Sequence, residues 1–319
     1  MYAIETQDFG NYTVWVLTNP ATGAKATIIP EHGAMLQSLH LPHQGNLYSL
    51  VEGYEDLQDR VDHHNTAYKS AVLFPFPNRI NAGRYEFQGS VYQLETNEVE
   101  RGHALHGLIH DKAFRVSKEI VAEDKAEVWL EYIEDGSLAA YPFKVKIVLV
   151  YRFGGNKLEV GASVQNIDIK PVPVGLGWHP CFQLNDKPID ELSIWFPEGN
   201  LVSLGEGMIP TGNTTAQHSY KGLHALLGLD MDMCLQVTGD VAVTSIYDFE
   251  AQLALHVWQK ASSLGYVQIY TPSHRRSLAI EAQTCAADAF NNKMGLLELQ
   301  PNQKFNTHWG VSFGASLLQ

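Results

Sequence analysis

The sequence predicts an all-β protein, a sandwich of large antiparallel sheets carrying only a few short helices. Three observations lead there. Short runs alternate apolar and polar residues with a period of two, as half-buried strands do. Gly, Asn, Pro and Ser separate those runs at close spacing, which is turn chemistry. Helical periodicity is confined to two short pieces, near 224–229 and 286–292.

Taken in order, residues 12–18 and 24–30 read as two strands around Asn19, Pro20 and Gly23, and Gly33-Ala34 leads into a third at 35–40. Residues 45–70 are polar and mixed, with Gly45, Gly53 and the adjacent His63 and His64. They read as a long irregular excursion, the kind of loop often used for binding. Strands resume at 83–89 and 91–96 around Gly89-Ser90, then at 113–121, 125–133 and 141–153. The last is the clearest, with Phe143, Val145, Ile147, Leu149 and Tyr151 on one face and Lys144, Lys146 and Arg152 on the other. Gly154-Gly155-Asn156 turns it back into 157–166, where Leu158, Val160, Ala162 and Val164 again alternate. That is a hairpin with one apolar face. Further strands are expected at 172–177, 192–196, 241–249, 252–258, 266–270 and 305–313. No linker, low-complexity tract or internal repeat interrupts the 319 residues, so residues 1–319 are expected to form one domain.

Composition narrows the function. Hydrophobic residues make up 45% and charged residues 18%, ordinary for a folded globular chain. A net charge of -13 argues against nucleic acid or an anionic membrane surface as the main partner, since both need a basic footprint. Cys181, Cys234 and Cys285 are odd in number and lack CxxC spacing, which disfavours a disulfide framework and a structural zinc site. No secretory signal or long apolar span is read from the sequence, so a cytoplasmic location is expected.

Five polar segments are candidates for chemistry. In SLAIEAQTCAADAFNN, residues 277–292, Leu278 and Ile280 alternate with Ala279 and Glu281. Glu281 therefore points away from the large apolar side chains, with the small Ala279 and with Gln283 as its neighbours on that face. A strand glutamate is ordinarily just solvated. In FPFPNRINAGRYEF, two Phe-Pro steps give a stiff, non-ladder approach that presents Asn78 and Arg79; a surface turn is the ordinary alternative. RGHALHGLIHDKAF holds His103, His106 and His110, which on a helix would share a face and suggest a metal site. Gly102 and Gly107 disfavour that helix, leaving a single functional His106 before the permissive Gly107 as the preferred reading. In VPVGLGWHPCFQL, strand geometry sends Trp178 and His179 to opposite faces, which frees His179 to point into a cleft. LDMDMCLQV places Asp230 and Asp232 among apolar residues, where a carboxylate needs a partner.

Together these segments resemble the aldose 1-epimerase (galactose mutarotase) family. The resemblance runs in order through Gly33-Ala34, Asn78-Arg79-Ile80 with Gly83 and Tyr85, Leu105-His106-Gly107 and His179-Pro180 with Phe182. It continues through Asp232, Ile280 to Thr284, Asp288-Ala289-Phe290-Asn291 and the closing LQPNQKF at 299–305, where Asn302 stands in place of a common Gly. The resemblance implies a β-supersandwich, with Glu281 as general base and His179 as general acid. It further implies that Arg79, His106 and Asp232 bind sugar hydroxyls, assisted by Asn78. The implied reaction interconverts the anomers of a free aldose by ring opening and closing. It needs no cofactor or metal, and no GxGxxG follows a strand. The implied partner is a small-molecule sugar, on a monomer or homodimer. His110 stands where the divergent hexose-phosphate branch tends to carry Arg. A non-catalytic sugar-binding module, a hexose-phosphate mutarotase and a β-sandwich lyase are the alternatives. The mechanism requires Glu281 and His179 to face one cleft, across a ring-sized gap, with Arg79 free to fork neighbouring hydroxyls.

Overall fold

The computed structural model describes residues 1–216 and 220–315. Strand alternation dictates its architecture. Lys144–Gly154 buries Val145, Ile147, Leu149, Tyr151 and Phe153, while Lys144 stays exposed and Lys146 and Arg152 are half-buried. Its hairpin with Lys157–Asn166 closes through Gly155 and Asn156, at φ 56° and 54°. Two successive positive-φ residues suit a two-residue turn whose twist matches the strands.

That hairpin lies in a nine-stranded antiparallel sheet. Its order is Arg115–Val121, Ala126–Asp135, Lys144–Gly154, Lys157–Asn166, Lys304–Ala315, Leu253–Lys260, Val241–Asp248, Ser193–Phe196 and Gly222–Ala225. A second, eight-stranded sheet runs Pro210–Ala216, Gly199–Leu204, Asp232–Val237, Tyr266–Tyr270, Leu278–Gln283, Gly177–His179 and Ala71–Leu73, with Cys181–Phe182 also paired to Leu278–Gln283. A five-stranded meander, Ala3–Phe9 to Asn46–Ser49, forms a third sheet. One continuous core joins residues from all three. Trp178 of the second sheet and Trp309 of the first meet in it, with ring centroids 6.0 Å apart. This is the all-β architecture the sequence predicts.

Two expectations fail locally. Residues 45–70 are not irregular: they contain the strand Asn46–Ser49 and an eleven-residue helix, α1, Leu57–Ala67. Asp56 caps α1 by accepting from the Asp59 amide at 2.8 Å, and Tyr68 ends it in the left-handed region at φ 45°. Only His64 of α1 is buried, so no apolar stripe announces the helix. The segment at 224–229 is not helical either, because His224 and Ala225 end the edge strand Gly222–Ala225. The second expected piece is real but short: α2 covers Ala289–Asn292.

Candidate active site

The six residues to which the resemblance gives roles, Asn78, Arg79, His106, His179, Asp232 and Glu281, line one cleft of about 640 Å³ on the open face of the eight-stranded sheet. Register explains how the sheet delivers three of them. Gly177 opposes Gln283 and Cys181 opposes Ala279, so His179 falls opposite Glu281 across Pro180 with the register unbroken. On the other side Gln268 opposes Glu281, and Asp232 opposes Tyr270. Directly opposed side chains share a face, so Glu281, His179, Gln268 and Asp232 all point into the cleft. Ile280, Leu278 and Trp178 point the other way, into the core.

Asn78 and Arg79 arrive from a separate element. Arg79–Ile80 pairs with Ala104–Leu105, and the His106 amide donates to the Asn78 carbonyl at 2.9 Å, which brings the two loops together. Gly107, at φ 78°, must be glycine on two counts: the left-handed backbone, and a Cβ that would overlap the Phe74 carbonyl. The Asp288–Asn291 motif buttresses the same loop from below. The Asp288 amide donates to the Arg79 carbonyl at 2.6 Å, and its carboxylate accepts from the Asn81 amide at 2.9 Å.

Glu281 and His179 are 2% and 6% exposed. Glu281 Oε1 lies 3.3 Å from His179 Nε2, and Glu281 Oε2 accepts from Gln283 Nε2 at 2.9 Å. They face one cleft, but they touch rather than stand across a gap. Burial pushes Glu281 well above the usual carboxylate range, with the Gln283 hydrogen bond opposing, the Asp232 charge adding and Arg79 opposing. Burial lowers His179 to about 4. The pair therefore favours its uncharged form, a carboxylic acid beside a neutral imidazole, instead of the ion pair that close contact alone would suggest.

Arg79 is not free to fork a sugar with its side-on donors. Its Nε and Nη2 donate to the two oxygens of Glu98 at 2.8 and 2.9 Å, and Nη1 donates to Asn78 Oδ1 at 3.2 Å. A guanidinium has five N–H groups, so two remain for a ligand. His106 packs edge-on against His179, with ring centroids 5.0 Å apart, and at a tilt against Tyr68, at 4.7 Å. Burial, then the neighbouring His179 and Arg79, hold His106 well below the usual imidazole range, so it is neutral. Its Nδ1 is buried without a hydrogen-bond partner. Asp232 Oδ1 accepts from Gln268 Nε2 at 2.6 Å, and burial raises its pKa against the opposing charge of Arg79. Asp230 is exposed and does not line the cleft, which separates the two aspartates.

The three histidines of 101–114 go to three places. His106 lines the cleft, His103 Nδ1 accepts from the Ala82 amide at 3.1 Å, and His110 Nδ1 meets His64 Nε2 at 3.0 Å behind the cleft wall. Glu98, Gln268 and Gln283 were not singled out from the sequence as functional. Only Gln283 carried a signal, its place two residues from Glu281 on the same strand face.

Solved structures share this fold. A galactose mutarotase-like protein from Clostridium acetobutylicum superposes with a TM-score of 0.87 at 19% identity, over 98% of this chain and 99% of the other. Galactose 1-epimerase from Lactobacillus acidophilus superposes at 0.80 and 14% identity over 99% of each. In sequence, the uncharacterized protein YihR of Escherichia coli (strain K12) is 28% identical over 254 residues, 77% of this chain and 79% of its own length. A probable aldose 1-epimerase of Arthroderma benhamiae is 33% identical over 95 residues, 29% of this chain and 21% of its own. The aldose 1-epimerase family profile matches residues 13–312. The chain belongs to the aldose 1-epimerase family.

Proposed function

We propose that the protein is an aldose 1-epimerase that interconverts the α and β anomers of a free aldose. The contact between Glu281 and His179, buried together at the floor of the cleft, is the observation that carries this reading. One proton shared by the pair is enough for the reaction. Moving it from Glu281 Oε1 to His179 Nε2 creates a carboxylate and an imidazolium without exchange with solvent. The carboxylate then takes the proton of the C1 hydroxyl while the imidazolium protonates the ring oxygen. The bond from C1 to the ring oxygen breaks, and C1 becomes an aldehyde carbon. Rotation about the C1–C2 bond and reversal of both transfers close the ring on the other face. Proton count and oxidation state are unchanged over the cycle. Both oxygens involved are bonded to C1, so an acid and a base in contact can serve them; no ring-sized gap is required.

The remaining groups bind. The two spare N–H groups of Arg79 and the carboxylate of Asp232 offer donors and acceptors to ring hydroxyls, the neutral His106 ring stands beside them, and Asn78 holds Arg79 in place. Each proton transfer by a positioned group is worth roughly 10²–10⁴ in rate. Optical rotation tests the proposal: catalytic amounts of the protein should speed the relaxation of freshly dissolved α-D-glucose or α-D-galactose. If calorimetry shows sugar binding while neither sugar relaxes faster, the chain is a binding module on this fold instead.

A further inference from the structure

The cleft holds three cationic side chains, Lys69, Arg79 and Arg101, and five carboxyl groups, on Glu52, Glu98, Glu100, Asp232 and Glu281. Every one of the cations is already in contact with a carboxylate of the same cleft. Lys69 Nζ lies 2.9 Å from Glu52 Oε1 and donates to the Gly53 carbonyl at 3.1 Å. Arg79 fills both oxygens of Glu98, and Arg101 Nη1 donates to Glu98 Oε1 at 2.8 Å. The side chains of Glu52 and Glu98 are 14% and 11% exposed, so both carboxylates, with Lys69 and Arg79, are sheltered from water, while Arg101 stands at the rim, 41% exposed. Burial would raise Glu98, but hydrogen bonds and charge from Arg79 and Arg101 hold it below the usual carboxylate range, which keeps it charged at neutral pH.

We propose that Glu52 and Glu98 are specificity-determining residues that keep phosphorylated and other anionic sugars out of the cleft. This rests on the mutarotase reading above and extends it to the charge of the substrate. A phosphate is held by cations with free donors, best by an arginine fork. Here the side-on fork of Arg79 is taken by Glu98. A dianion that approaches Lys69 or Arg101 meets Glu52 or Glu98 at nearly the same distance, and like charges in a sheltered site repel strongly. A neutral hydroxyl meets no such barrier. It accepts from the cation and donates to the carboxylate at once, so each pair suits a free sugar. The two glutamates act as a filter on charge, a role that does not depend on any net stability the pairs contribute.

Glu52→Gln and Glu98→Gln keep the shape of each side chain and remove its charge. Calorimetric titrations with glucose 6-phosphate and with glucose, on wild type and on variants shown to be folded by circular dichroism, test the filter. The ratio of glucose 6-phosphate to glucose affinity should rise by roughly tenfold or more in each variant, the scale of a charge-assisted hydrogen bond gained. Added salt should erode that gain. The filter is overturned if the ratio is unchanged in both variants, if both sugars weaken alike, or if wild type already prefers glucose 6-phosphate. Because the readout is binding, a wild type that binds sugar without speeding mutarotation sinks the proposed reaction and not the filter.

Discussion

Replacing His64 by Gln will flatten the acid side of the stability curve. His64 sits on the inner face of α1, with Nδ1 3.0 Å from Tyr54 Oη and Nε2 3.0 Å from His110 Nδ1. The Lys69 amide donates to Tyr54 Oη at 3.2 Å, so a relay in which Tyr54 donates to Nδ1 and Nε2–H donates to His110 satisfies every atom with a neutral ring. His32 lies 4.2 Å away, ring to ring, and Arg60 rests on His32. Burial, then the neighbouring His32, His110 and Arg60, lower His64 from 6.5 to about 2. On acidification the unfolded chain therefore takes the proton first. The stability tied to the neutral ring is present above the unfolded pKa and is lost as pH falls from there toward the folded pKa. Between pH 6.5 and about 4.5 the loss at this one residue is about 2 kcal/mol. Glutamine does not titrate. At pH 6.5 the variant should be less stable by about 1–3 kcal/mol, for the two hydrogen bonds altered. Near pH 4.5 that gap should close or reverse. Urea unfolding at the two pH values measures both. Curves for wild type and variant that stay parallel across the window would refute a neutral, buried His64.

Three further outcomes follow from the same geometry. Gly107→Ala should destabilise the fold by about 1–3 kcal/mol or more, from the positive φ and the overlap with the Phe74 carbonyl, and should weaken sugar binding by displacing His106; an unchanged urea midpoint contradicts this. Gln283→Met should move the alkaline limb of the kcat/KM profile upward in pH, because the proton the pair shares rests on Glu281 and the lost hydrogen bond is one of the influences that lower its pKa; a profile that only drops in height makes Gln283 a packing residue. Arg79→Lys should raise KM with a smaller effect on kcat, since Lys cannot both fill Glu98 and present two spare donors; a kcat loss alone places Arg79 closer to the chemistry.

The strands were legible because one-sided burial leaves a period of two, as in Lys144–Gly154, and the direction of His179 followed from Trp178 needing the core. What stayed hidden has physical reasons. α1 docks through His64 and its ring contacts, so its sequence LQDRVDHHNTA shows no apolar stripe. Glu98 is one acid in a polar loop, and its meaning lies in Arg79, nineteen residues away in sequence. Gln268 matters only through register, which sets it beside Glu281 and within reach of Asp232. Contact distance was also invisible: the opposed positions of Glu281 and His179 place them at 3.3 Å, and their shared burial, more than their mutual attraction, sets their charge.

The decisive measurement compares wild type with Glu281→Gln in the relaxation of α-D-glucose and α-D-galactose, followed by optical rotation alongside thermal unfolding. The amide closely resembles the uncharged carboxyl group that burial favours, so the melting temperature should hold steady or rise. Catalysis should fall by roughly 10²-fold or more, because an amide accepts no proton. A variant that melts normally and relaxes either sugar as fast as wild type would contradict Glu281 as the base.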